Sequence, residues 1–160
     1  MICFDTQALI WGVQSTGHSG REDIVARARR YIEWLSKSKT PIMIPAPAVT
    51  EYLVAFDPDE QQRQLQVIER SFFVAAFDLP AARMAARILG RRLEMHRIES
   101  DHCVRRQQLK VDVFIVATAI VHHAERLISH DAHMGKLAEG TSLQVCEIPD
   151  LATQGELFDS

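Results

Sequence analysis

Four acids far apart in the chain stand in settings that could support chemistry: Asp5 beside Thr6, Glu51, Asp112, and Asp131 two residues after Ser129. Asp5 follows the apolar run Ile2-Cys3-Phe4, and Asp131 ends the run Arg126-Leu127-Ile128-Ser129-His130-Asp131. Each is therefore expected at the carboxyl end of a buried strand. Asp112 leads Val113 to Val121, a stretch that is apolar except for Thr118. That stretch is too short to span a bilayer and apolar on every side, which predicts a helix buried in a soluble core. Asp112 would then lie in the first turn, where unpaired N–H groups and the positive end of the helix dipole favour a carboxylate. Glu51 is expected early in the helix that Pro47 opens. Singly, each acid is most simply a cap or a solvated side chain. Brought together they would repel, each raising the pKa of its neighbours, unless a cation sits among them. Hard oxygen donors suit Mg²⁺ or Mn²⁺, and Mg²⁺ is commonly held through one or two carboxylates while keeping waters of its own. The chemistry that belongs to such a site is in-line hydrolysis of a phosphodiester by metal-activated water.

Whether the acids meet depends on the elements that carry them. With 160 residues, 47% of them hydrophobic and 24% charged, the chain suits one folded domain with a substantial core. A capping-box pattern, Ser19-Gly20-Arg21-Glu22, precedes Ile24, Val25, Ala28, Ile32 and Leu35 at helical spacing, which predicts a helix from about Arg21 to Lys37. Before it, Ala8 to Val13 begins a helix or a turn. Pro41 to Pro45 is a second short buried strand, its prolines at the ends. A helix from Asp57-Pro58 to about Arg70, with Leu65 and Ile68 inward, leads to a third strand over Phe72 to Phe77. From Pro80 a helix presents Ala82, Ala85, Ala86, Leu89 and Leu93 on one side and Arg83, Arg87 and Arg91 on another. That stripe is either a solvated face or a basic surface for phosphates or an acidic partner. His96 to Lys110 lacks clear periodicity and is either a helical extension or a mobile loop. A short helix over Met134 to Ala138 and a strand over Leu143 to Ile148 complete the order. Strands alternating with helices predict a parallel α/β sheet covered on both faces. Ligands bind such sheets outside the carboxyl ends of the strands, where the four acids could converge.

The ordered set of residues, Asp5-Thr6 after the first strand, Glu51 after the second, Asp112 leading Val113-Phe114-Ile115-Val116-Ala117-Thr118-Ala119, and Ser129-His130-Asp131 after a strand, resembles the PIN domain. Within that family the chain is most similar to the VapC-type ribonuclease toxins of toxin–antitoxin pairs. The resemblance implies a PIN-like three-layer fold with about five parallel strands, spanning residues 1–149, followed by a tail over 150–160. It implies that Asp5, Glu51, Asp112 and Asp131 hold the metal and carry catalysis, with Thr6 and Ser129 as supporting hydroxyls. It further implies Mg²⁺- or Mn²⁺-dependent cleavage of RNA, a homodimer, and inhibition by a cognate antitoxin. Two departures stand out: Gln7, where a small polar residue or Asn often follows Asp-Thr, and the longer segment from His96 to Lys110.

Other classes fit less well. A net charge of -3 gives no overall basic footprint for nucleic acid, so any such binding rests on local charge. Three cysteines, Cys3, Cys103 and Cys146, lack C-x-x-C spacing and suit neither a disulfide framework nor a zinc site. His122, His123, His130 and His133 match no zinc motif either. The start of the chain has no basic region followed by a long apolar run, so a cytoplasmic protein with no membrane association is expected. A non-catalytic binding module of the same fold, or a haloacid-dehalogenase-type phosphatase with Asp5 as nucleophile, are the alternatives. The phosphatase chemistry wants a second acid two positions on, where Gln7 stands.

Overall fold

A computed structural model describes residues 1–14, 20–95 and 103–151, with side chains given for all of these except 92–95 and 103–109. Short apolar runs form the strands: β1 (Ile2–Phe4) and β2 (Ile42–Pro45) are buried at every position. β3 (Phe73–Ala75), β4 (Arg126–Ile128) and β5 (Gln144–Cys146) complete one sheet in the order β3-β2-β1-β4-β5, and every neighbouring pair is parallel. These last three strands are shorter than the runs expected at 72–77, 126–131 and 143–148. Phe72 ends the helix before β3, Ala76 to Asp78 lead into the helix after it, and Ser129 to Asp131 lead into the helix after β4.

Between the strands lie α1 (Thr6–Val13), α2 (Glu22–Lys37), α3 (Ala46–Leu53), α4 (Pro58–Ser71), α5 (Leu79–Met95), α6 (Cys103–Val121) and α7 (Ala132–Ala138). The chain moves from β1 through β2 to β3 in one direction along the sheet, then crosses back to β4 and β5 on the far side of β1. Because parallel crossovers are right-handed, that reversal puts α1 to α4 on one face and α5 to α7 on the other, giving three layers. The expected α/β architecture with a parallel five-stranded sheet is the one observed.

Helix α2 matches the predicted 21–37 span, with Val25, Ala28, Tyr31 and Leu35 buried. Its N-cap is Arg21, and Glu22 accepts from the Gly20 amide at 3.1 Å; Ser19, the other half of the expected capping box, lies outside the described residues. Asp57 caps α4 by accepting from the Glu60 amide at 2.9 Å, and Ile68 is its fully buried contact with the core. On α5 the buried residues are Ala81, Ala85 and Ile88, whereas Ala86, expected inward, is exposed. Alanines on both sides of this helix carry too little apolar contrast to orient it, and the buried face is the one that carries Ile88, with Leu89 half-buried beside it. Leu93 is among the residues whose side chains are not described.

The largest departure is α6. Its described part begins at Cys103, so residues 103–110 extend the buried helix instead of forming a loop. Arg105, Arg106, Gln107, Gln108, Leu109 and Lys110 are strong helix formers and need no apolar period to continue it. Residues 96–102 lie outside the described part of the chain. From Val113 to Ala119 only Phe114 is less than fully buried, and the Thr118 hydroxyl is satisfied by donating to the Phe114 carbonyl at 2.7 Å. No described helix is long and apolar enough to cross a membrane.

Two helices end on a non-glycine residue in the left-handed region: Lys39 after α2 (φ 55°) and His123 after α6 (φ 57°). In each case the next amide bonds back across the last turn, Thr40 N to Leu35 O and Ala124 N to Ala119 O, both at 2.9 Å. The left-handed conformation costs an L-residue about 1–2 kcal/mol. Glycine removes that cost but loses about 0.5–1 kcal/mol of extra chain entropy on folding. His123→Gly and Lys39→Gly should therefore each stabilise the fold by about 0.5–1 kcal/mol in urea titration. A lower unfolding midpoint for both would contradict this account of the helix ends.

Candidate active site

The reversal in strand order falls between β1 and β4, and a cleft opens there at the carboxyl ends of the strands, as expected for open parallel sheets. Its volume is about 320 Å³, and all four expected acids line it: Asp5, Glu51, Asp112 and Asp131. Thr6 and Gln7 complete its polar wall, while Ile115 and Met134 form an apolar floor.

Asp5 is the fixed point. Its amide donates to the Ile128 carbonyl at 3.2 Å, extending the β1–β4 pairing by one residue. Its carboxylate then caps α1, accepting from the Ala8 amide at 2.7 Å. The side chain is 3% exposed, and burial pushes its pKa up from 3.8 to about 6. Bonds from the Ala8 amide and the Ser129 hydroxyl pull it down, the charge of Asp131 pushes it up, and a weaker bond from the Gln7 amide pulls it down. Ser129, also buried, accepts from the Asp131 amide at 3.1 Å, so one hydroxyl joins the ends of two strands. Asp131 in turn caps α7 by accepting from the His133 amide at 2.8 Å.

The other two acids come from helices, and both sit elsewhere on them than their sequence suggested. Glu51 lies in the last turn of α3, not early in it. α3 opens with Pro47 in its first turn, as expected, but ends at Leu53, which leaves Glu51 in its second and last turn. The Thr6 hydroxyl donates to Glu51 Oε2 and so links α1 to α3. Asp112 lies well inside α6, not in its first turn, because the helix already runs from Cys103. Capping and the helix dipole therefore do not explain Asp112, and its place in the cleft wall is the stronger account.

Sequence spacing held a signal for the floor. Ile115 follows Asp112, and Met134 follows Asp131, at the i,i+3 interval that puts side chains on one helix face. Arg83, Arg87 and Arg91 are exposed on α5 and are not among the cleft-lining residues; Arg91 donates to the Glu139 carbonyl at 3.3 Å. His130 also lies off the cleft. Its ring meets Trp11 edge-on at 4.9 Å, its Nε2 accepts from the Ile148 amide at 3.2 Å, and burial holds its pKa below the usual value. Cys3 is fully buried, and burial with the nearby Asp5 charge keeps its thiol protonated. Gln7 leaves the cleft without a second acid two positions after Asp5.

The donors facing the cleft are carboxylate and hydroxyl oxygens, a set suited to a hard divalent cation. Among the described residues, no three His, Cys, Asp or Glu side chains converge tightly enough to chelate one ion by themselves. The spacing fits an ion carrying several waters and touching few carboxylates better than a closed protein cage. Asp5, Glu51, Asp112 and Asp131 are the groups that could hold it.

Two of the solved structures that share this fold illustrate the likeness. One is described as the crystal structure of VapBC2 from Rickettsia felis bound to a DNA fragment from their promoter. It matches with a TM-score of 0.64 and 14% identity, over 93% of this chain and 100% of the other. The second is a toxin-antitoxin complex from Klebsiella pneumoniae, with a TM-score of 0.58 and 18% identity, over 94% of this chain and 99% of the other. At these identities the likeness is one of fold, and the PIN-like three-layer arrangement expected from the sequence is the one found. No model of a known protein family matches the chain, and no curated protein does.

The buried carboxyl of Asp5 makes the metal-free fold sensitive to pH in a definite direction. Its pKa in the fold is about 6, above that of an unfolded aspartate. The fold thus binds this proton more tightly, and the resulting stability is complete below about pH 4 and lost as pH rises through about 6. In EDTA, Asp5→Asn keeps a side-chain acceptor for the Ala8 amide and removes the ionisation. The variant should gain up to about 3 kcal/mol on the parent between pH 4 and 6 and hold that gain above 6. A constant difference across this range, measured by urea unfolding, would show that Asp5 does not ionise against burial.

Proposed function

We propose that this protein is a VapC-type toxin ribonuclease that hydrolyses RNA phosphodiester bonds with Mg²⁺ or Mn²⁺. The observation that carries the proposal is the meeting of four acids, drawn from β1, α3, α6 and the β4–α7 turn, in one cleft at the strand-order reversal. Support for the toxin assignment comes from the shared fold with two toxin–antitoxin structures. A cognate antitoxin, a homodimer and a cytoplasmic setting belong to the same proposal. Arg83 and Arg87, exposed on α5, are offered as a contact for RNA or for that antitoxin.

A divalent ion bound in the cleft would polarise the scissile phosphate and acidify an attacking water. The chain's own residues prepare the place. Ser129 holds Asp5, and Thr6 holds Glu51, so two of the four carboxylates are fixed by hydroxyl donors before any ligand arrives. Asp5 holds its proton up to about pH 6, so a cation would compete with that proton below this pH and meet a carboxylate above it. Ile115 and Met134 limit water on the floor, which strengthens charge interactions at the rim.

A binding module of the same fold without catalysis is the alternative that the cutting assay separates.

Purified, partner-free protein should cut single-stranded or structured RNA only with Mg²⁺ or Mn²⁺ present. Asp5→Asn and Asp112→Asn should each lower the rate by at least about 100-fold. Ser129→Ala and Thr6→Val, which free a carboxylate without removing it, should cost about 10- to 100-fold. Cutting that continues in EDTA, or in both Asn variants, would reject the metal-dependent mechanism. Antitoxin binding without any cutting would support the binding module.

A further inference from the structure

A second hollow of about 340 Å³ adjoins the acidic cleft, and Glu51 lines both. Pro47 and Thr50 of α3, Phe77 from the β3–α5 connection, and Val111 and Phe114 of α6 form its other walls. Apart from Thr50 and Glu51 these groups are apolar. The rings of Phe77 and Phe114 lie 4.7 Å apart at 43°, and both remain partly exposed.

We propose that this hollow seats an unstacked nucleobase of the RNA strand whose phosphodiester lies in the acidic cleft. This rests on the nuclease reading and adds how the strand is gripped. Three observations select the occupant. The two hollows are built from the same two helices at adjacent positions: α6 gives Asp112 and Ile115 to the cleft but Val111 and Phe114 to the hollow, and α3 places Thr50 beside Glu51. A ligand spanning both therefore needs an anionic centre and a flat apolar group a short link apart, which is the plan of a nucleotide. The electrostatics point the same way. Net charge is -3 and the cleft is lined by carboxylates with no Lys or Arg among the described residues, the arginines of α5 lying outside it, so at the cleft itself attraction to the phosphate backbone adds little affinity. Burying a base against aromatic rings supplies affinity without a basic surface. The volume, finally, is at the small end for organic-ligand pockets, which suits one planar group.

The test uses short single-stranded RNAs in which each nucleotide flanking the cut is in turn made abasic, cleaved by the full chain with Mg²⁺ or Mn²⁺. The parent, Phe77→Leu and Phe114→Leu are compared, with thermal unfolding as a control. At one position, loss of the base should slow the parent roughly tenfold, chiefly through KM. Each Leu variant should cut intact RNA more slowly by a similar factor and be indifferent to that abasic position. If Phe114→Leu does not fold, the abasic scan on the parent and Phe77→Leu still decides. The proposal is overturned if the parent cuts RNA with no abasic position affecting KM, or if the folded variants keep the parent's abasic penalty. Equal KM with an altered oligomeric state in Phe77→Leu would instead give the hollow to a second copy of this chain. A parent that cuts no RNA with either metal removes the nuclease reading, and this inference with it.

Discussion

A single buried hydroxyl ties the centre of this molecule together. Ser129 donates to the Asp5 carboxylate and accepts from the Asp131 amide, joining the ends of the two strands that flank the reversal in the sheet. The register of β1 against β4, with Phe4 opposite Ile128, brings the two ends level. Without that pairing, residues 126 positions apart in the chain would have no reason to share a carboxylate's surroundings. The cost is a nearly enclosed Asp5 with a raised pKa, which the fold tolerates because the Ala8 amide and Ser129 both donate to it. A carboxylate held in this way is ready for a cation and poorly placed without one.

The remaining acids depend on helix packing. Glu51 and Asp112 reach the cleft because α3 packs against both α1 and α6. Thr6 makes the first of those contacts specific, since its hydroxyl spans from α1 to the Glu51 carboxylate. Asp5 and Asp131 serve two purposes: each caps the helix that follows it while facing the cleft. Capping occupies part of a carboxylate's acceptor capacity and fixes its direction, so the local structure that begins a helix also aims a charge.

Much of this arrangement was legible in the residues. Strand-length apolar runs at 2–4 and 42–45, each ending at a helix start, dictate parallel strands with connections above them, and Asp5 and Asp131 then fall at the sheet's carboxyl edge. The helical parts were less legible for identifiable reasons. Residues 103–110 extend α6 through propensity with no apolar stripe to mark it, so Asp112 reads as a helix start when it lies in the interior. Glu51 falls in the last turn because α3, which Pro47 opens as expected, already ends at Leu53. On α5, Ala81, Ala82, Ala85 and Ala86 look alike in sequence, and Ile88 and Leu89 are neighbours of equal size, so the sequence does not choose between the two faces. The apolar hollow beside the cleft could not be read at all, since Phe77 and Phe114 meet only through the packing of α5 and α6.

The central claim is that the four acids share a hard cation at the sheet's reversal point. Soaking crystals in Mn²⁺ and recording anomalous scattering tests it most directly. The account predicts a peak within the cleft, bonded to Asp5 and to at least one of Glu51, Asp112 and Asp131, and absent from Asp5→Asn crystals. A cleft that stays free of manganese at millimolar concentrations, or a peak only at unrelated surface carboxylates, would contradict it.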